Sequence, residues 1–183
     1  MNIRATAIAG VMIADTTPFA DHRGAFARWF CDQKLQTILN QRSIVQINHS
    51  CTYATGAVRG LHFQHPPHAE MKLIRCLRGR VWDVAVDLRR DSPTFLQWHG
   101  EELFPENRSM LIIPEGCAHG FQVLEPDSEL LYLHTAHYAP HAEGGVRPDD
   151  ARLAISWPLP MADISMKDQN HPLLPLDYAG ILL

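Results

Sequence analysis

The chain has 183 residues, of which 46% are hydrophobic and 20% are charged, and its formal net charge is −4. This length suits one well-buried core and is short for two, so we expect a single domain over residues 1–183. A slightly acidic chain argues against a nucleic-acid-binding protein, which normally carries a basic surface. Small anionic ligands stay possible, because a few local arginines are enough to bind them.

The cysteines and the first residues indicate a cytoplasmic protein. Cys31, Cys51, Cys76 and Cys117 form no CxxC pair and no short framework spacing, which is typical of reduced thiols. The first 19 residues alternate like a strand and lack the basic start of a signal peptide. No stretch approaches the length of a membrane-spanning helix, so we expect no membrane association.

Strand-like runs recur along the whole chain, and Gly, Pro, Asn or Asp separates most of them. In chain order these runs are TAIAGVMIA, SIVQINHSC, AVRGLHFQ, MKLIRCLRG, RVWDVAVDLR, FLQWHGEEL, SMLIIPEG, HGFQVLE and ELLYLHTAHY. Only DQKLQTILNQ predicts a helix, with Leu35, Ile38 and Leu39 on one stripe. The proline-rich tail from Trp157 is expected to be irregular, with room for a turn of helix in DISMKDQNHP. Many short strands with few helices predict an all-β jelly-roll sandwich or barrel.

Two stretches carry histidines in a pattern that resembles the cupin jelly rolls. LIIPEGCAHGF contains P-x-G-x-x-H, made by Pro114, Gly116 and His119, and RGLHFQ places His62 on an earlier strand. A metal-binding cupin would have a histidine two residues after His62, where this chain has Gln64. His65 and His68 flank PP, so we expect them on an exposed turn. Because a zinc or iron site needs three or four converging ligands, the sequence predicts no metal.

A more specific resemblance covers residues 10 to 175. In order and at the right spacing the chain contains FADHRGAF, VQINHS, VRGLHFQ, KLIRCLRGRVWDVAVDLRRDSPTF, IPEGCAHGF, LYLHTAHYAP, AEGGVRPDD and ISMKD. These segments resemble the dTDP-4-dehydrorhamnose 3,5-epimerase family of sugar-nucleotide epimerases. The resemblance implies a cupin-type jelly roll, a homodimer, a nucleotide-sugar substrate and no metal or other cofactor.

The resemblance also implies catalytic roles. A 4-keto sugar has acidic C–H bonds on both sides of its carbonyl, so inversion needs a base, an acid on the opposite face and a group that stabilises the enolate oxygen. His62 matches the family's base and Asp168 the aspartate that orients it. Lys72 matches the lysine that stabilises the oxyanion, and Tyr132 matches the proton donor.

Substrate-binding positions are implied in the same way. Arg23 and Arg59 resemble diphosphate contacts, and the guanidinium fork suits phosphate oxygens. The other positions expected to contact substrate are Arg28, Gln46, Asn48, His119, Tyr138, Glu143 and Lys167, with Phe19 and Phe26 packed around the base. Two positions depart from the family: Arg28 stands where a glutamate is usual, and Pro148 where a tryptophan is common.

Several alternatives stay open at this point. A close variant would invert only one carbon or use another nucleotide; a metal-dependent cupin enzyme and a non-catalytic sugar-binding cupin are the other classes. We expect the remaining polar groups to be structural or incidental, namely Arg89, Arg90, Asp149, Asp150, His22, His99, His134, His137 and His141.

Overall fold

The chain folds into thirteen β-strands and two short α-helices, and the computed structural model describes all residues from Met1 to Leu183. In chain order the elements are β1 (Asn2–Ala5), β2 (Met12–Asp15), β3 (Phe19–Asp21), β4 (Gly24–Phe26), α1 (Asp32–Leu39), β5 (Gln46–Thr52), β6 (Val58–Gln64), β7 (Lys72–Arg78), β8 (Val81–Asp87), β9 (Trp98–Leu103), β10 (Ser109–Ile113), β11 (Cys117–Val123), β12 (Ser128–His134), β13 (Glu143–Gly145) and α2 (Met166–Gln169). A short 3₁₀ turn, Pro140–Ala142, precedes β13.

The strands form two antiparallel sheets that pack face to face. One sheet has the order β1-β2-β10-β7-β12-β5, and the other has the order β13-β6-β11-β8-β9. Strands β3 and β4 form a separate hairpin. This arrangement confirms the predicted all-β jelly roll.

Apolar side chains fill the space between the sheets and also cover both outer faces. The inner core includes Ile74, Leu111 and Phe121. The outer face of the five-stranded sheet packs against the C-terminal segment through Val86, Leu88, Leu153, Leu174 and Ile181. The outer face of the six-stranded sheet is covered by α1 through Leu35, Leu39, Leu73 and Ile112. Strands covered on both faces explain the almost continuous apolar runs such as SMLII.

The two helices agree with the sequence pattern. In α1, Leu35 and Leu39 are buried, as the predicted stripe requires. The helical turn expected in the tail is α2, where the side chain of Ser165 caps the helix by accepting from the backbone N–H of Asp168. Neither helix has the length and apolar composition needed to cross a bilayer.

The first predicted strand was wrong in its extent. TAIAGVMIA does not form one strand, because residues 6–11 make the turn of the β1–β2 hairpin, in which the N–H of Thr6 donates to the carbonyl of Val11. Gly10 lies in this turn with φ of +77°, a conformation that favours glycine. The apolar alternation alone did not reveal that the chain reverses here.

Strand β8 directs its acidic residues into the space between the sheets. Asp83 and Asp87 are fully buried, although acids on one face of a strand usually indicate a solvated face. Asp87 is paired with Arg89 at 2.7 Å, which agrees with a structural role for that arginine. The hydrogen-bond partner of Asp83 is a residue of the candidate site.

Candidate active site

A cavity of about 320 Å³ opens between the two sheets. Both sheets contribute to its wall, together with the segment that carries Tyr138. The lining residues include Asn48, Ser50, Arg59, His62, Gln64, Glu70, Lys72, His119, Tyr132, His134, Tyr138 and Glu143. Eight of the thirteen predicted site residues line this cavity. Three more, Asp168, Gln46 and Lys167, bind residues that line it, whereas Arg23 and Arg28 do not line it.

Strand periodicity explains why the polar groups gather at one place. In β12, Leu130 belongs to the inner core, and Tyr132 and His134 follow it at intervals of two on the same face. The register pairs Tyr132 with Ile74 and His134 with Lys72. In the facing sheet, His62 is paired with His119. The inner face thus changes along the strands from an apolar core to a polar cavity.

His62 and Asp168 form a hydrogen-bonded pair. Nε2 of His62 lies 2.7 Å from Oδ1 of Asp168, and Oδ2 accepts from the N–H of Gly60 at 3.2 Å. Gly60 has φ of +123°, and a Cβ there would lie 2.5 Å from Cα of Gly120, so only glycine fits this approach. Burial opposes ionisation of Asp168, but the bond from His62 and the backbone N–H outweigh it and hold the pKa of Asp168 below its usual range.

This pair decides which nitrogen of His62 can act as a base. The Asp168 carboxylate only accepts hydrogen bonds, so Nε2 of His62 carries the proton that is donated to it. Nδ1 is then the nitrogen with a free lone pair. The arrangement gives a base that is oriented and, once protonated, stabilised by a buried carboxylate.

Tyr132 faces His62 from the other sheet. Its hydroxyl lies 3.0 Å from Oγ of Ser50, and burial raises the pKa of the phenol above its ordinary value. A raised pKa keeps Tyr132 protonated at neutral pH, as a proton donor requires. Because His62 lies on β6 and Tyr132 on β12, the predicted base and the predicted acid lie on opposite walls of the cavity.

Glu70 and His134 lie beside Lys72, and neither was predicted to belong to the site. Nζ of Lys72 donates to the carbonyl of His62 at 3.2 Å and lies 3.4 Å from Oε1 of Glu70. Oε2 of Glu70 is 2.7 Å from Nδ1 of His134. Burial opposes ionisation of Glu70, but His134 and Lys72 outweigh it and lower its pKa. His134 was expected to be incidental, yet it lines the cavity; the period of two from Tyr132 was the signal that could have identified it.

His119 lines the cavity, as expected, and is held by a second buried carboxylate. Its Nε2 lies 2.7 Å from Oδ1 of Asp83, and both side chains are buried. No role was predicted for Asp83. Its partner is 36 positions away, so only the pairing of β8 with β11 reveals the contact.

The predicted binding residues Gln46, Asn48, Tyr138, Glu143 and Lys167 form a polar mouth to the cavity. Oε2 of Glu143 accepts from the Tyr138 hydroxyl at 2.9 Å and from Nζ of Lys167 at 2.7 Å. Gln46 donates to the side-chain oxygen of Asn48 at 3.2 Å and accepts from the backbone N–H of Tyr138 at 3.1 Å. Arg59 also lines the cavity, and it donates to the hydroxyl of Thr52 at 3.3 Å.

Arg23 and Arg28 do not line the cavity of this chain. Arg23 lies in the β3–β4 hairpin, where its side chain is 78% exposed and pairs with Asp21. Phe19 and Phe26 of the same hairpin are 77% and 68% exposed, so they do not pack around His62. Arg28 is exposed as well.

Pro148 also lies outside the residues that line the cavity. It is buried, and its carbonyl accepts from Nε1 of Trp157 at 2.9 Å. Trp157 packs against the outer cluster of the five-stranded sheet. The departure at Pro148 therefore falls in the outer packing layer.

Gln64, at the position where a metal cupin has its second histidine, is not arranged as a metal ligand. The side chain of Gln64 donates to the carbonyls of His68 and His137 and accepts from the N–H of Ala139 at 2.6 Å. All of these bonds of the Gln64 amide go to the backbone of the surrounding loops. His65 is exposed, as predicted, whereas His68 is half-buried and its Nε2 lies 3.2 Å from Nε2 of His141.

A different cluster has metal-ligand spacing. His62, Asp168 and His171 present ligand atoms that all lie within 4.8 Å of one another. His171 was not considered in the sequence analysis. The pKa of His171 is lowered, mainly by burial and next by the nearby His62.

The comparisons with known proteins agree with this geometry. A family model described as dTDP-4-dehydrorhamnose 3,5-epimerase matches residues 5–175. The dTDP-4-dehydrorhamnose 3,5-epimerase of Salmonella typhimurium is 43% identical over 171 residues, which is 92% of this chain and 93% of that protein. The dTDP-4-dehydrorhamnose 3-epimerase of Streptomyces niveus is 38% identical and covers 95% of this chain and 84% of its own length.

A solved structure is similar over almost the whole chain. It is the crystal structure of the dTDP-6-deoxy-D-glucose-3,5-epimerase of Legionella pneumophila in complex with dTDP-4-keto-L-rhamnose, with a TM-score of 0.90, 39% identity and coverage of 96% of this chain and 94% of that one. Matches of this extent and identity go well beyond a shared fold. The chain therefore belongs to the dTDP-4-dehydrorhamnose 3,5-epimerase family, a family of isomerases.

Proposed function

We propose that this chain, folded as one jelly-roll domain over residues 1–183, inverts C3, C5 or both in a dTDP-linked 4-keto-6-deoxyhexose. The substrate we favour is dTDP-4-dehydro-6-deoxy-D-glucose, and the product is dTDP-4-dehydro-L-rhamnose. One observation carries the proposal: the His62–Asp168 pair faces the Tyr132 hydroxyl across a polar cavity. The free cysteines fit the cytoplasmic compartment expected from the sequence.

The first step is removal of a carbon-bound proton. Nδ1 of His62 takes the proton from the carbon beside the carbonyl, and the C–H electron pair moves to form the enolate, whose negative charge lies on the carbonyl oxygen. Asp168 stabilises the imidazolium that results. The ammonium of Lys72, which lines the cavity beside His62, stabilises the enolate oxygen, and such a donor contributes several kcal/mol in a site that excludes water.

The second step returns a proton from the opposite face. The Tyr132 hydroxyl donates its proton to the same carbon, the carbonyl re-forms and the centre is inverted. The phenolate that remains is unstable in this buried position, since burial raises the pKa of Tyr132, and it regains a proton from water. The His62 imidazolium gives its proton to water, so both groups return to their starting states. Inversion therefore follows from the position of acid and base on different sheets.

The metal-free mechanism uses every predicted catalytic residue. His62, Lys72, Tyr132 and Asp168 each have an assigned role, and no step requires a cofactor. His119, held by the buried Asp83, lines the wall beside Tyr132, where the rings of His119 and Tyr132 meet edge to face at 6.0 Å. Arg59 at the cavity and the polar mouth around Glu143 are the groups available for the nucleotide diphosphate and the sugar.

We further propose that the protein is a homodimer. The hairpin β3–β4 exposes Phe19 and Phe26, and Arg23 on it has no partner beyond Asp21. Exposed aromatic side chains of this size commonly mark an interface. Light scattering at micromolar concentration should give twice the mass of the chain, and Phe19→Ser with Phe26→Ser should shift it toward the monomer; a monomeric wild type would contradict this part of the proposal.

Substrate choice is tested through the position that departs from the family. Because Arg28 does not line the cavity of its own chain, it contacts substrate only if the proposed homodimer brings it to the cavity of the partner subunit. In that case Arg28→Glu should change the ratio of kcat/KM between dTDP-linked and UDP-linked 4-keto-6-deoxy sugars and leave the fold intact. Arg90→Glu, at another exposed arginine outside the cavity, is the matched control. Equal ratios for wild type and both variants would show that Arg28 does not contact substrate.

The deciding experiment follows the conversion of dTDP-4-keto-6-deoxyglucose by NMR in deuterated water. Wild type should incorporate deuterium at C3, C5 or both, and the labelled carbons identify the positions that are inverted. His62→Ala should abolish the incorporation, and His65→Ala, at an exposed histidine three positions away, should not. Binding of the sugar nucleotide without any incorporation by the wild type would instead indicate a sugar-nucleotide-binding protein.

A further inference from the structure

His171 occupies an unusual place beside the catalytic pair. Gly145 is the cross-strand partner of His62, and directly paired residues direct their side chains to the same face. A Cβ on Gly145 would lie 2.3 Å from Cε1 and Nε2 of His171. The His171 ring therefore fills the space that a side chain at position 145 would take, on the face that carries His62.

One ring nitrogen of His171 has no hydrogen-bond partner. Nε2 of His171 is buried and makes no hydrogen bond. It lies 3.8 Å from Oδ1 of Asp168, which is too long for a hydrogen bond, and this is the same oxygen that Nε2 of His62 contacts at 2.7 Å. A buried polar atom without a partner needs an explanation. Here two imidazoles flank one carboxylate oxygen, and one of them is unused.

The spacing suits a small divalent cation. Zinc binds imidazole and carboxylate at 2.0–2.2 Å in tetrahedral geometry, which puts neighbouring ligand atoms about 3.3 Å apart. The two distances to Asp168, 2.7 and 3.8 Å, lie on either side of that value. Small rotations of the two rings bring both within reach of one ion, with water as the fourth ligand.

We propose that His62, Asp168 and His171 form a site for Zn²⁺, and that zinc bound there switches off the epimerase. Binding does not depend on the proposed function, whereas inhibition rests on it. The site is distinct from the one that a metal cupin would use, because Gln64 and His119 are not among its ligands.

Inhibition follows from where the ring proton of His62 goes. In the metal-free pair, Nε2 carries the proton and Nδ1 is the base. When zinc takes Nε2, the single proton of the neutral ring has to lie on Nδ1, which then has no lone pair for the substrate C–H. Zinc also replaces the hydrogen bond to Asp168. Metal occupancy and proton abstraction thus exclude each other.

The test titrates zinc-free protein with Zn²⁺ by calorimetry and with Co²⁺ by visible absorption, without substrate. The His68–His141 pair, with its nitrogens 3.2 Å apart, is a second place where a metal could bind, so all proteins carry His141→Ala. We expect one ion per chain and ligand-field bands typical of a tetrahedral nitrogen and oxygen site. His171→Ala should weaken binding by more than about tenfold, since only two of three ligands are left.

A second variant separates loss of the ligand from loss of packing. His171→Phe keeps a ring against Gly145 and removes both nitrogens, so it should lose the metal as His171→Ala does. Zinc should lower the turnover of the parent protein at the concentration at which it binds, and it should lower that of His171→Phe only at concentrations more than about tenfold higher. Equal zinc affinity with and without His171 would overturn the site. Zinc binding that depends on His171 but leaves turnover unchanged would overturn the proposed inhibition. Absence of turnover in zinc-free protein would count against the proposed function; the Co²⁺ titration would then decide by itself whether the metal site exists.

Discussion

Nε2 of His62 and Oδ1 of Asp168 are 2.7 Å apart, although the two residues are separated by 106 positions in the chain. His62 belongs to β6 of the five-stranded sheet and Asp168 to the short helix α2. The contact ties the C-terminal segment to the cavity, so we propose that the tail has a catalytic as well as a packing role. It also fixes the tautomer of the base.

Asp168→Asn should lower kcat much more than it changes KM. An asparagine can still accept the hydrogen bond from Nε2, but it cannot stabilise the imidazolium that forms after proton removal. Loss of an effective general base typically costs on the order of 10²–10⁴ in rate. Steady-state kinetics with purified sugar nucleotide measures this effect. Asp149→Asn, which affects an exposed carboxylate paired with Arg147, should leave kcat unchanged; a similar loss in both variants would argue against the role of the pair.

The same substitution should alter how stability depends on pH. The pKa of Asp168 is lower in the folded chain than its ordinary value, so its charge stabilises the fold above about pH 4, the usual range of an unfolded aspartate. That contribution is lost as the pH falls through the lowered folded pKa. The difference in urea-unfolding free energy between wild type and Asp168→Asn should therefore be largest near neutrality and shrink below about pH 4. A difference that grows on acidification would contradict the direction of the pKa shift.

Strand periodicity allowed most of the fold to be predicted, and the resemblance to a known family supplied the roles of the residues at the centre of the site. The alternation around RGLHFQ, MKLIRC and ELLYLH places His62, Lys72 and Tyr132 on strands, and it correctly excludes a predominantly helical protein. The resemblance to a known family then supplied Asp168, which has no local signal of its own. The β1–β2 turn was missed because apolar residues continue through it.

The contacts that periodicity could not predict depend on register between distant strands. Asp83 meets His119 only because β8 pairs with β11, and Glu70 meets His134 beside Lys72 at the end of β7. His171 depends on the absence of a side chain at Gly145, which no pattern near residue 171 indicates. Arg23 and Arg28 illustrate a further limit, since positions assigned to substrate by resemblance do not reach the cavity of this chain.

Tyr132→Phe should separate proton removal from proton return. His62 and Asp168 are untouched by this change, so the enolate can still form and collect deuterium on the face of His62. Exchange should persist while net inversion slows by on the order of 10²-fold or more. NMR in deuterated water measures both quantities in one sample. Tyr53→Phe, at a tyrosine that is 74% exposed, should behave as wild type, and loss of exchange together with inversion in Tyr132→Phe would mean that the tyrosine does more than donate the proton.

Lys72→Met should impair exchange and inversion together, unlike Tyr132→Phe. Methionine is similar in length but removes the charge proposed to stabilise the enolate oxygen, and loss of one such stabilising group typically costs on the order of 10²–10³ in rate. It also leaves the Glu70 carboxylate without its cationic neighbour. The control is Lys34→Met at an exposed position of α1. If Lys72→Met exchanged deuterium at the wild-type rate, the lysine would have no part in stabilising the enolate.

Removal of metal should leave the activity intact. The position at which a metal cupin has its second histidine is Gln64, and its amide is committed to the backbone of His68, His137 and Ala139. His119 is equally committed, because its Nε2 is bound by Asp83 at 2.7 Å. Protein treated with a strong chelator and passed through metal-free buffer should turn over at the rate of untreated protein or slightly faster, since any zinc held at His62 and His171 is inhibitory. Elemental analysis of the treated sample verifies that metal is absent. If chelation abolished the activity and added zinc, iron, manganese or nickel restored it, the protein would be a metal-dependent enzyme. The roles given to His62 and Lys72 would then be wrong.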